Sequence, residues 1–366
     1  MSRPLSVLLA GGGTAGHVAP LLALADCLRR RDPATGVLAL GTSEGLEARL
    51  VPERGYELAV VPRVPMPRRP SGDLLRLPGR LRAAVRAAED AIDRVGADVV
   101  VGFGGYVATP AYLAARRRGV PVVVHEQNRR PGLANRLGAR WARAVAVTFP
   151  DTPLPRALRV GLPMRREIAT LDRAALRAQA RQYFGLRPDL VTLLVYGGSL
   201  GSQRLNETFG AAAGDLAAAG VQVLHGCGTG KDVDVAGGPS GDVPYVVREY
   251  LDRMDLAYAA ADMVAGRAGA GTVCEVTAVG LPAAYVPLPI GNGEQRLNAE
   301  PVVLAGGGLL VADADCTPAW VRGELLPVLA DPARRGQMAD RAAEFGLRDG
   351  DERLADLVAE AAGSRA

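Results

Sequence analysis

The stretch Gly11-Gly12-Gly13-Thr14-Ala15-Gly16-His17 decides how the first half of the chain folds. An apolar run at residues 5–10 precedes it, and an apolar pattern with helical spacing follows at residues 21–28. A buried strand, a glycine turn and a helix therefore follow one another. The unpaired N–H groups at a helix start favour negative charge, and the glycines allow a ligand to come close. His17 adds an acid–base group to this turn.

Short apolar runs alternate with helical patterns over the first 150 residues. The runs predicted to be strands are residues 5–10, 36–41, 57–61, 98–102, 120–125 and 144–148, and helices are predicted at 81–95 and 109–118. Such alternation predicts a parallel sheet with crossover helices. The proline-containing stretch 150–163 then predicts the approach to a linker that ends near residues 165–167.

The second half repeats this plan. A strand at 191–196 leads into Gly197-Gly198-Ser199-Leu200-Gly201 and a helix at 202–213, and further strands are predicted at 221–225, 243–247, 262–265, 283–287 and 308–311. The predicted fold class is therefore α/β, with two Rossmann-like doubly wound domains that face each other across a cleft. We expect one domain at residues 1–164, a second at 165–350, and a C-terminal helix within 351–366 that packs back on the first.

Composition narrows the class of protein. The chain has 366 residues, of which 48% are apolar and 22% charged, as in globular proteins. The four cysteines (Cys27, Cys227, Cys274, Cys316) form no CxxC pair, which argues against zinc and disulfides and fits a reducing cytoplasm. The N-terminus does not read as a signal peptide, and no apolar run approaches the ~20 residues that span a bilayer. We expect no cofactor and no metal.

Net charge is only +4, but residues 63–86 contain seven arginines and a single acid, Asp73, among apolar side chains. A basic segment with apolar residues is typical of contact with an anionic membrane surface, although a solvated loop and helix face would read the same way. Nucleic acid is not expected as a partner, because almost no aromatic residues alternate with these arginines.

Three motifs resemble sites for other ligands: a dinucleotide, ATP and a metal ion. The glycines at 11, 13 and 16 match a dinucleotide fingerprint, but the second strand ends Leu40-Gly41-Thr42-Ser43 without the acid that binds a ribose. Gly228-Thr229-Gly230-Lys231 lacks the Ser or Thr that follows lysine in a P-loop. Asp232-Val233-Asp234 and Asp313-Ala314-Asp315 resemble metal-binding pairs, but we interpret them as solvated loop acids.

Polar residues follow several predicted strands, where parallel sheets bind ligands. His125-Glu126-Gln127-Asn128 and the turn Gly102-Phe103-Gly104-Gly105-Tyr106 are of this kind in the first half. In the second half, the block from Gly266 to Glu275 combines a glycine turn with a new helix, which suits a diphosphate, and the Glu275 carboxylate suits a ribose diol. The stretch Gly291-Asn292-Gly293-Glu294-Gln295 offers groups for sugar hydroxyls. These loops predict a nucleotide-sugar site.

These motifs, in this order and over essentially the whole chain, resemble the MurG family of cell-wall enzymes. The resemblance implies a GT-B glycosyltransferase fold and inverting, metal-independent transfer of N-acetylglucosamine from UDP-GlcNAc to lipid I (undecaprenyl-pyrophosphoryl-MurNAc-pentapeptide), giving lipid II. It also implies peripheral attachment to the cytoplasmic face of the cell membrane. Other enzymes on this scaffold stay open as alternatives: a UDP-GlcNAc 2-epimerase, or a transferase with a different acceptor. A UDP-GlcNAc-sensing module is a further alternative.

The resemblance assigns roles to individual residues. His17 is the expected general base, because a helix N-terminus disfavours its charged form. Residues expected at the donor are Thr14, Ala15, Gly16, Asn128, Arg165, Ser199, Leu251, Ala270, Gly271, Thr272, Val273, Cys274, Glu275 and Gln295. Within that set, Asn128 and Gln295 are expected to hold sugar hydroxyls, Arg165 and Ser199 the diphosphate, and the Leu251 backbone the uracil. Residues expected on the acceptor side are Gly104, Tyr106, His125, Glu126 and Asn135.

Overall fold

The structure is a computed structural model that describes residues 3–64, 73–198, 200–236 and 242–363. The chain divides into two compact units. Unit 1 comprises Met1–Arg165 together with Asp349–Ala366, and unit 2 comprises Arg166–Arg348. Each unit is built around its own parallel sheet, with helices connecting the strands. None of the helices within the described ranges combines the length and the apolar character needed to cross a membrane.

The sheet of unit 1 has the strand order β3-β2-β1-β4-β5-β6-β7, with parallel pairing throughout. Its strands are β1 (Ser6–Ala10), β2 (Gly36–Gly41), β3 (Glu57–Val60), β4 (Val99–Gly102), β5 (Val122–Glu126), β6 (Ala144–Val147) and β7 (Ala157–Arg159). The central strands are buried on both faces, which explains why they read as continuous apolar runs in the sequence.

The helices of unit 1 cover both faces of its sheet. They are α1 (Ala15–Arg31), α2 (Glu47–Glu53), α3 (Asp73–Val95), α4 (Gly105–Arg118) and α5 (Leu133–Gly138). One apolar core contains Val85 of α3 and Tyr112 of α4, and another contains Leu21 and Leu24 of α1. Helix α1 begins at Ala15, six residues before its apolar pattern, so that His17 lies in its first turn.

The sheet of unit 2 has the order β10-β9-β8-β11-β12-β13 and is also parallel. Its strands are β8 (Val191–Tyr196), β9 (Val221–Gly226), β10 (Tyr245–Arg248), β11 (Met263–Gly266), β12 (Ala283–Tyr285) and β13 (Gly308–Leu310). Its helices are α6 (Arg166–Ala169), α7 (Arg173–Phe184), α8 (Gln203–Ala211), α9 (Ala213–Ala218), α10 (Met254–Ala260), α11 (Ala270–Ala278), α12 (Glu294–Leu304), α13 (Pro318–Trp320), α14 (Leu326–Ala330) and α15 (Pro332–Phe345). A 3-10 turn (Asp313–Asp315) and a π-helical turn (Val321–Leu325) complete it.

The C-terminal helix α16 (Gly350–Gly363) belongs to unit 1 and packs on α1. Leu354, Ala355 and Val358 share one apolar core with Leu9 of β1 and Leu24 of α1. The spacing of these buried residues is that of one helical face. Ion pairs at the same junction join α1 to α16; in one of them Arg30 contacts Asp351 at 3.0 Å.

The prediction of two Rossmann-like α/β domains is confirmed. The two sheets share a topology, because β1 and β8 each open a unit and lie between the second strand of that unit and its fourth. One strand was missed: β7 lies inside stretch 150–163, which was predicted only as the approach to a linker. It is three residues long and at the sheet edge, and so short a strand carries no readable periodicity.

Candidate active site

The first glycine turn, residues 11–14, connects β1 to α1 and places His17. Thr14 is the N-cap residue of α1, with extended backbone (φ −134°, ψ 155°), and its Oγ1 lies 3.0 Å from Nδ1 of His17. Burial lowers the pKa of the His17 imidazole below its ordinary value of 6.5, against opposing effects of the Gly12 carbonyl and the Glu47 carboxylate. At neutral pH the ring is therefore uncharged and able to accept a proton.

His17 borders a cavity of about 310 Å³ in unit 1. The cavity is lined by residues from loops that follow β1, β2, β3 and β4: Gly12, Gly13, Thr14, His17, Thr42, Glu44, Gly45, Arg63, Gly105, Tyr106 and Val107. The Arg63 guanidinium lies 5.8 Å from the centre of the Tyr106 ring and 3.3 Å from a Glu44 carboxylate oxygen. Because the lining loops leave the carboxyl ends of parallel strands, the cavity is where such folds bind ligands.

Glu47 holds the first glycine turn in place, although it is fully buried and carries a charge. Its Oε2 accepts a hydrogen bond from the Gly13 N–H at 2.9 Å, and its Oε1 accepts from the Thr42 N–H at 2.9 Å and the Thr42 hydroxyl at 2.8 Å. Burial raises the pKa of this carboxyl, but the hydrogen bonds outweigh burial, and the net direction is downward. Glu47 therefore stays ionised, and its carboxylate satisfies the Gly13 N–H of the turn beside His17.

The expected acceptor-side residues fall into two groups. Tyr106 is 42% exposed, at the start of α4 beside the cavity. Gly104 precedes it with φ +91°, and a Cβ there would lie 3.2 Å from Nε2 of His17 and 3.3 Å from Nδ2 of Asn135. In contrast, His125, Glu126 and Asn135 are buried, at 0%, 2% and 1% exposure.

The prediction that the side chains of His125, Glu126 and Asn135 meet a ligand therefore needs correction, because they form an internal network. Asn135 Nδ2 donates to Glu126 Oε2 at 2.9 Å, and Tyr112 donates its hydroxyl proton to Asn135 Oδ1 at 2.7 Å. His125 Nε2 lies 3.0 Å from the Gly161 carbonyl, and burial lowers its pKa to about 4. Burial also raises the pKa of Glu126. This network supports the backbone at Gly104, whose added Cβ would contact both Asn135 and His17.

The remaining expected residues of unit 1 are accessible. Ala15 and Gly16 are exposed at the start of α1, and Asn128 and Arg165 are half-buried. The Asn128 N–H donates to Glu126 Oε1 at 3.0 Å, so the buried network also fixes the backbone of this residue.

Unit 2 contains a second cavity, of about 130 Å³, at the carboxyl ends of β8 and β9. Its lining comprises Tyr196, Gly198, Gly226, Glu249, Tyr250, Leu251, Met254, Tyr258 and Glu275. Leu251 and Glu275, expected at the uracil and the ribose, thus lie on the same cavity. A Cβ on Gly226 would lie 2.9 Å from Leu251 Cδ1, so glycine at this strand end leaves room for the loop that carries Leu251.

A chain of tyrosines orients the Glu275 carboxylate. The Tyr258 hydroxyl donates to Glu275 Oε2 at 2.9 Å, and the Tyr196 and Tyr258 hydroxyl oxygens are 2.9 Å apart. Burial, and then the charge of Glu275, raise the pKa of Tyr258 well above its ordinary range, so it remains a donor. Glu275 lies in the second turn of α11, one turn beyond the helix N-terminus.

The second glycine turn, residues 197–201, joins β8 to α8 as the first joins β1 to α1. Gly198 and Gly201 adopt positive φ (+89° and +66°), a conformation that glycine tolerates without steric cost. Ser199, expected at the diphosphate, lies outside the described residues. The N-cap residue Ser202 accepts a hydrogen bond from Arg267 Nη2 at 2.7 Å.

Arg267 leads from β11 towards α11 and also binds Asp313. Asp313 lies 3.6 Å from Arg204 as well, so this acid of the Asp-x-Asp motif is engaged by two arginines. Its sequence environment predicted only a loop acid, but it offsets the charge of the buried Arg267 guanidinium.

The glycine turn before α11 presents backbone more than side chains. Ala270, Val273 and Cys274 are buried, whereas Gly271, Thr272 and Glu275 are half-buried. The Gln295 Oε1 accepts hydrogen bonds from the N–H groups of Ala268 at 3.2 Å and Leu288 at 2.9 Å. Gln295 thus ties the loop after β11 to the loop after β12, and its amide nitrogen is the group that could donate to a sugar hydroxyl.

Sequence reasoning missed Glu47 and Tyr258. Glu47 is preceded by Gly41 and Gly45, and a Cβ on either glycine would lie within 2.4 Å of its side chain. Two glycines within the six residues before an acid could have signalled close packing around that acid. Tyr258 lies in the apolar pattern of α10, where the sequence gives no sign of its hydroxyl partner.

Comparisons with known proteins agree with this architecture. Residues 7–147 match the glycosyltransferase family 28 N-terminal domain, and residues 192–354 match the family 28 C-terminal domain. A Streptomyces avermitilis protein named UDP-N-acetylglucosamine–N-acetylmuramyl-(pentapeptide) pyrophosphoryl-undecaprenol N-acetylglucosamine transferase is 60% identical over 361 residues, 99% of each chain.

Two solved structures extend the comparison. Acinetobacter baumannii MurG has a TM-score of 0.79 and 29% identity, covering 98% of this chain and 100% of its own. A Neisseria meningitidis UDP-GlcNAc 2-epimerase bound to UDP-GlcNAc has a TM-score of 0.69 at 13% identity, covering 97% and 100%, and shares the fold alone. The resemblance found in the motifs is confirmed. The chain belongs to the MurG family of glycosyltransferases, within glycosyltransferase family 28.

Proposed function

We propose that this protein transfers N-acetylglucosamine from UDP-GlcNAc to the C4 hydroxyl of the muramoyl sugar of lipid I, producing lipid II and UDP. The observation that carries this proposal is 60% identity, over 99% of both chains, to a transferase named for that reaction. The geometry supports it, because unit 1 offers a cavity with an uncharged histidine and unit 2 offers a cavity with a fixed carboxylate.

In this proposal unit 2 binds most of the donor, and Asn128 and Arg165 of unit 1 add contacts to it. The uracil contacts the Leu251 backbone and the ribose hydroxyls donate to Glu275, whose orientation Tyr258 fixes. The diphosphate lies at the second glycine turn and at the N-terminus of α11, where backbone N–H groups stabilise the charge that grows on the leaving UDP. Arg165 and Ser199 contact the same diphosphate, and Asn128 and Gln295 contact sugar hydroxyls.

Unit 1 in turn supplies the acceptor cavity and the base. His17 accepts the proton of the attacking C4 hydroxyl while that oxygen forms a bond to the anomeric carbon, and the bond from that carbon to UDP breaks. Its lowered pKa keeps the ring in the form that accepts a proton. Thr14, hydrogen-bonded to Nδ1, orients the ring.

The test is UDP release from UDP-GlcNAc, measured with and without a soluble lipid I analogue. We expect release only when the analogue is present, together with a product that contains both sugars. Consumption of UDP-GlcNAc without any acceptor would instead indicate an epimerase, whose fold this chain shares. Binding of UDP-GlcNAc without turnover in either condition would indicate a sensing module.

We also propose that the protein attaches peripherally to the cytoplasmic face of the membrane through its basic segment, residues 63–86. Residues 65–72 of this segment lie outside the described residues. Support comes from the seven arginines and single acid among apolar residues within this segment. Replacing Arg68 and Arg69 by Glu should reduce binding to vesicles that contain anionic lipid; unchanged binding would contradict the proposal.

A further inference from the structure

Lys231 is the only lysine in the chain, in which the other 42 of the 43 Lys and Arg residues are arginine. The two side chains differ physically: arginine presents a planar fork, whereas lysine presents a compact ammonium with three donors. The single lysine therefore gives this position a compact ammonium in a sequence that otherwise uses arginine for its positive side chains. Sequence reasoning set it aside as part of an incomplete P-loop.

The structure places Lys231 against the second glycine turn. Its Nζ donates a hydrogen bond to the Leu200 carbonyl at 2.7 Å. The loop that carries Lys231 follows β9 and is in backbone contact with the turn, since a Cβ on Gly201 would lie 1.9 Å from the Cys227 carbonyl oxygen. Gly198 of the same turn lines the cavity that contains Glu275. The ammonium therefore contacts the same turn whose Gly198 borders the unit 2 cavity.

The nearby arginines differ from Lys231 in their charge balance. Arg204 and Arg267 both contact Asp313, so that one carboxylate is shared between the two guanidinium groups. Among residues that the structure describes, no carboxylate lies within ion-pair distance of the Lys231 ammonium. Lys231 thus places an ammonium directly against the turn.

Unit 1 has the opposite charge at the equivalent place. In each unit the first strand leads into a glycine turn, and the loop after the second strand reaches across to that turn. In unit 1 that loop leads to Glu47, whose carboxylate accepts the Gly13 N–H and occupies a donor that could otherwise bind a phosphate. In unit 2 it carries Lys231. The two turns are alike in backbone, and the side chains that contact them have opposite charge.

We infer that Lys231 binds the diphosphate of the nucleotide donor, and that Glu47 keeps such an anion off the first glycine turn. This inference rests on the proposed function, in which the donor is a UDP-sugar. An ammonium at the second turn attracts a diphosphate and stabilises the charge left on UDP after transfer, whereas a carboxylate at the first turn repels it. The pair of opposite charges selects which unit of a duplicated architecture takes the nucleotide.

The test compares UDP with uridine as ligands of the full chain by calorimetry. In K231M, we expect UDP affinity to fall about 10- to 100-fold and uridine affinity to stay unchanged, because only UDP carries the phosphates. K231R restores the charge and should bind UDP more tightly than K231M. The matched control is R248M, which removes an exposed cation at the neighbouring end of β10, where Nη1 donates to the adjacent Val247 carbonyl at 2.9 Å. The UDP affinity of R248M should be that of the parent.

Three outcomes would overturn the inference: normal UDP affinity in K231M, an equal loss of uridine and UDP affinity, or K231R no better than K231M. A second readout uses the single lysine directly. Acetic anhydride should acetylate Lys231 more slowly in the presence of UDP but not of uridine, as measured by mass spectrometry of the peptide; equal rates would contradict the inference. Calorimetry and acetylation both report UDP binding and do not depend on GlcNAc transfer. If the parent protein binds UDP through Lys231 but does not transfer the sugar, only the proposed function is refuted.

Discussion

The substitution Glu47→Gln tests whether a buried carboxylate organises the turn that carries His17. The carboxylate receives three hydrogen bonds, one from the Gly13 N–H and two from Thr42. Glutamine has nearly the same shape, but one of its two terminal atoms is an NH₂ group that cannot accept. Since Thr42 supplies two donors to one oxygen, the amide oxygen should stay there, and the NH₂ group would face the Gly13 N–H.

The magnitude follows from this mismatch. A hydrogen bond to a charged group contributes about 1.5–3 kcal/mol, so E47Q should lower the free energy of unfolding at pH 7 by about that amount. The first glycine turn also loses its anchor, and small displacements of catalytic groups are costly. We therefore expect kcat to fall by about 10- to 100-fold.

The pH dependence has a definite sign. The pKa of Glu47 is lowered from its ordinary 4.5 in the folded protein, so its contribution to stability is present above about pH 4.5 and is lost as pH falls through the folded pKa. The stability difference between parent and E47Q should therefore shrink below pH 4.5. In addition, the Glu47 charge raises the pKa of His17, so E47Q should move the acidic limb of kcat/KM to lower pH.

The assays are urea unfolding at pH 7 and pH 4 and UDP release with a lipid I analogue across pH. The matched control is E53Q, an exposed acid of the same helix that pairs with Arg49, for which about 0–1 kcal/mol is expected. If E47Q were as stable as E53Q and kept the parent kcat, the argument that Glu47 fixes the turn would be refuted. An unshifted acidic limb would refute its electrostatic effect on His17.

Three further predictions concern the two cavities. His17→Ala should reduce kcat about 10²- to 10⁴-fold with unchanged UDP affinity. In the parent, kcat/KM should fall as the pH drops through a pKa below 6.5, which would report the same group. Near-normal turnover of His17→Ala would exclude His17 as the base. Gly104→Ala should abolish most activity, because at φ +91° its Cβ would lie 3.2 Å from His17 Nε2. The control is Gly55→Ala, which has a similar φ of +76° but open space around the added Cβ. This control should lose only stability, about 1–2 kcal/mol by thermal or urea unfolding. Equal activities of these two variants would contradict the steric argument. Tyr258→Phe should weaken UDP binding about 10-fold in calorimetry, because the Glu275 carboxylate loses the hydroxyl that orients it; an unchanged affinity would show that Glu275 needs no such support.

Much of the fold was readable because parallel strands buried on both faces are continuous apolar runs. Residues 191–196 illustrate this: the predicted strand coincides with β8, and the glycine turn and helix follow as expected. The same local logic placed His17 near a helix start and Glu275 in the first turns of a helix that follows a glycine turn. Leu251, which was assigned through the family resemblance, lines the same cavity as Glu275. The family resemblance also depended on such loop motifs.

The direction of side chains at strand ends could not be predicted from the sequence. His125 follows a buried run and was expected to face a ligand, but its ring is fully buried against the Gly161 carbonyl, 36 residues away in sequence. Local sequence predicts that a strand ends near His125. It does not predict which distant backbone group will pack over the ring, because that depends on where later segments of the chain return to the sheet.

By itself, the sequence determined two rounds of strand, glycine turn and helix, and hence two parallel sheets with ligand loops at their carboxyl ends, because burial and turn chemistry are local properties. Only the tertiary structure decided the charge at each turn. Glu47 lies 34 residues from Gly13 and Lys231 lies 31 residues from Leu200, and both contacts arise because the second strand of each unit pairs beside the first. Strand order, a long-range property, places a carboxylate on one glycine turn and an ammonium on the other.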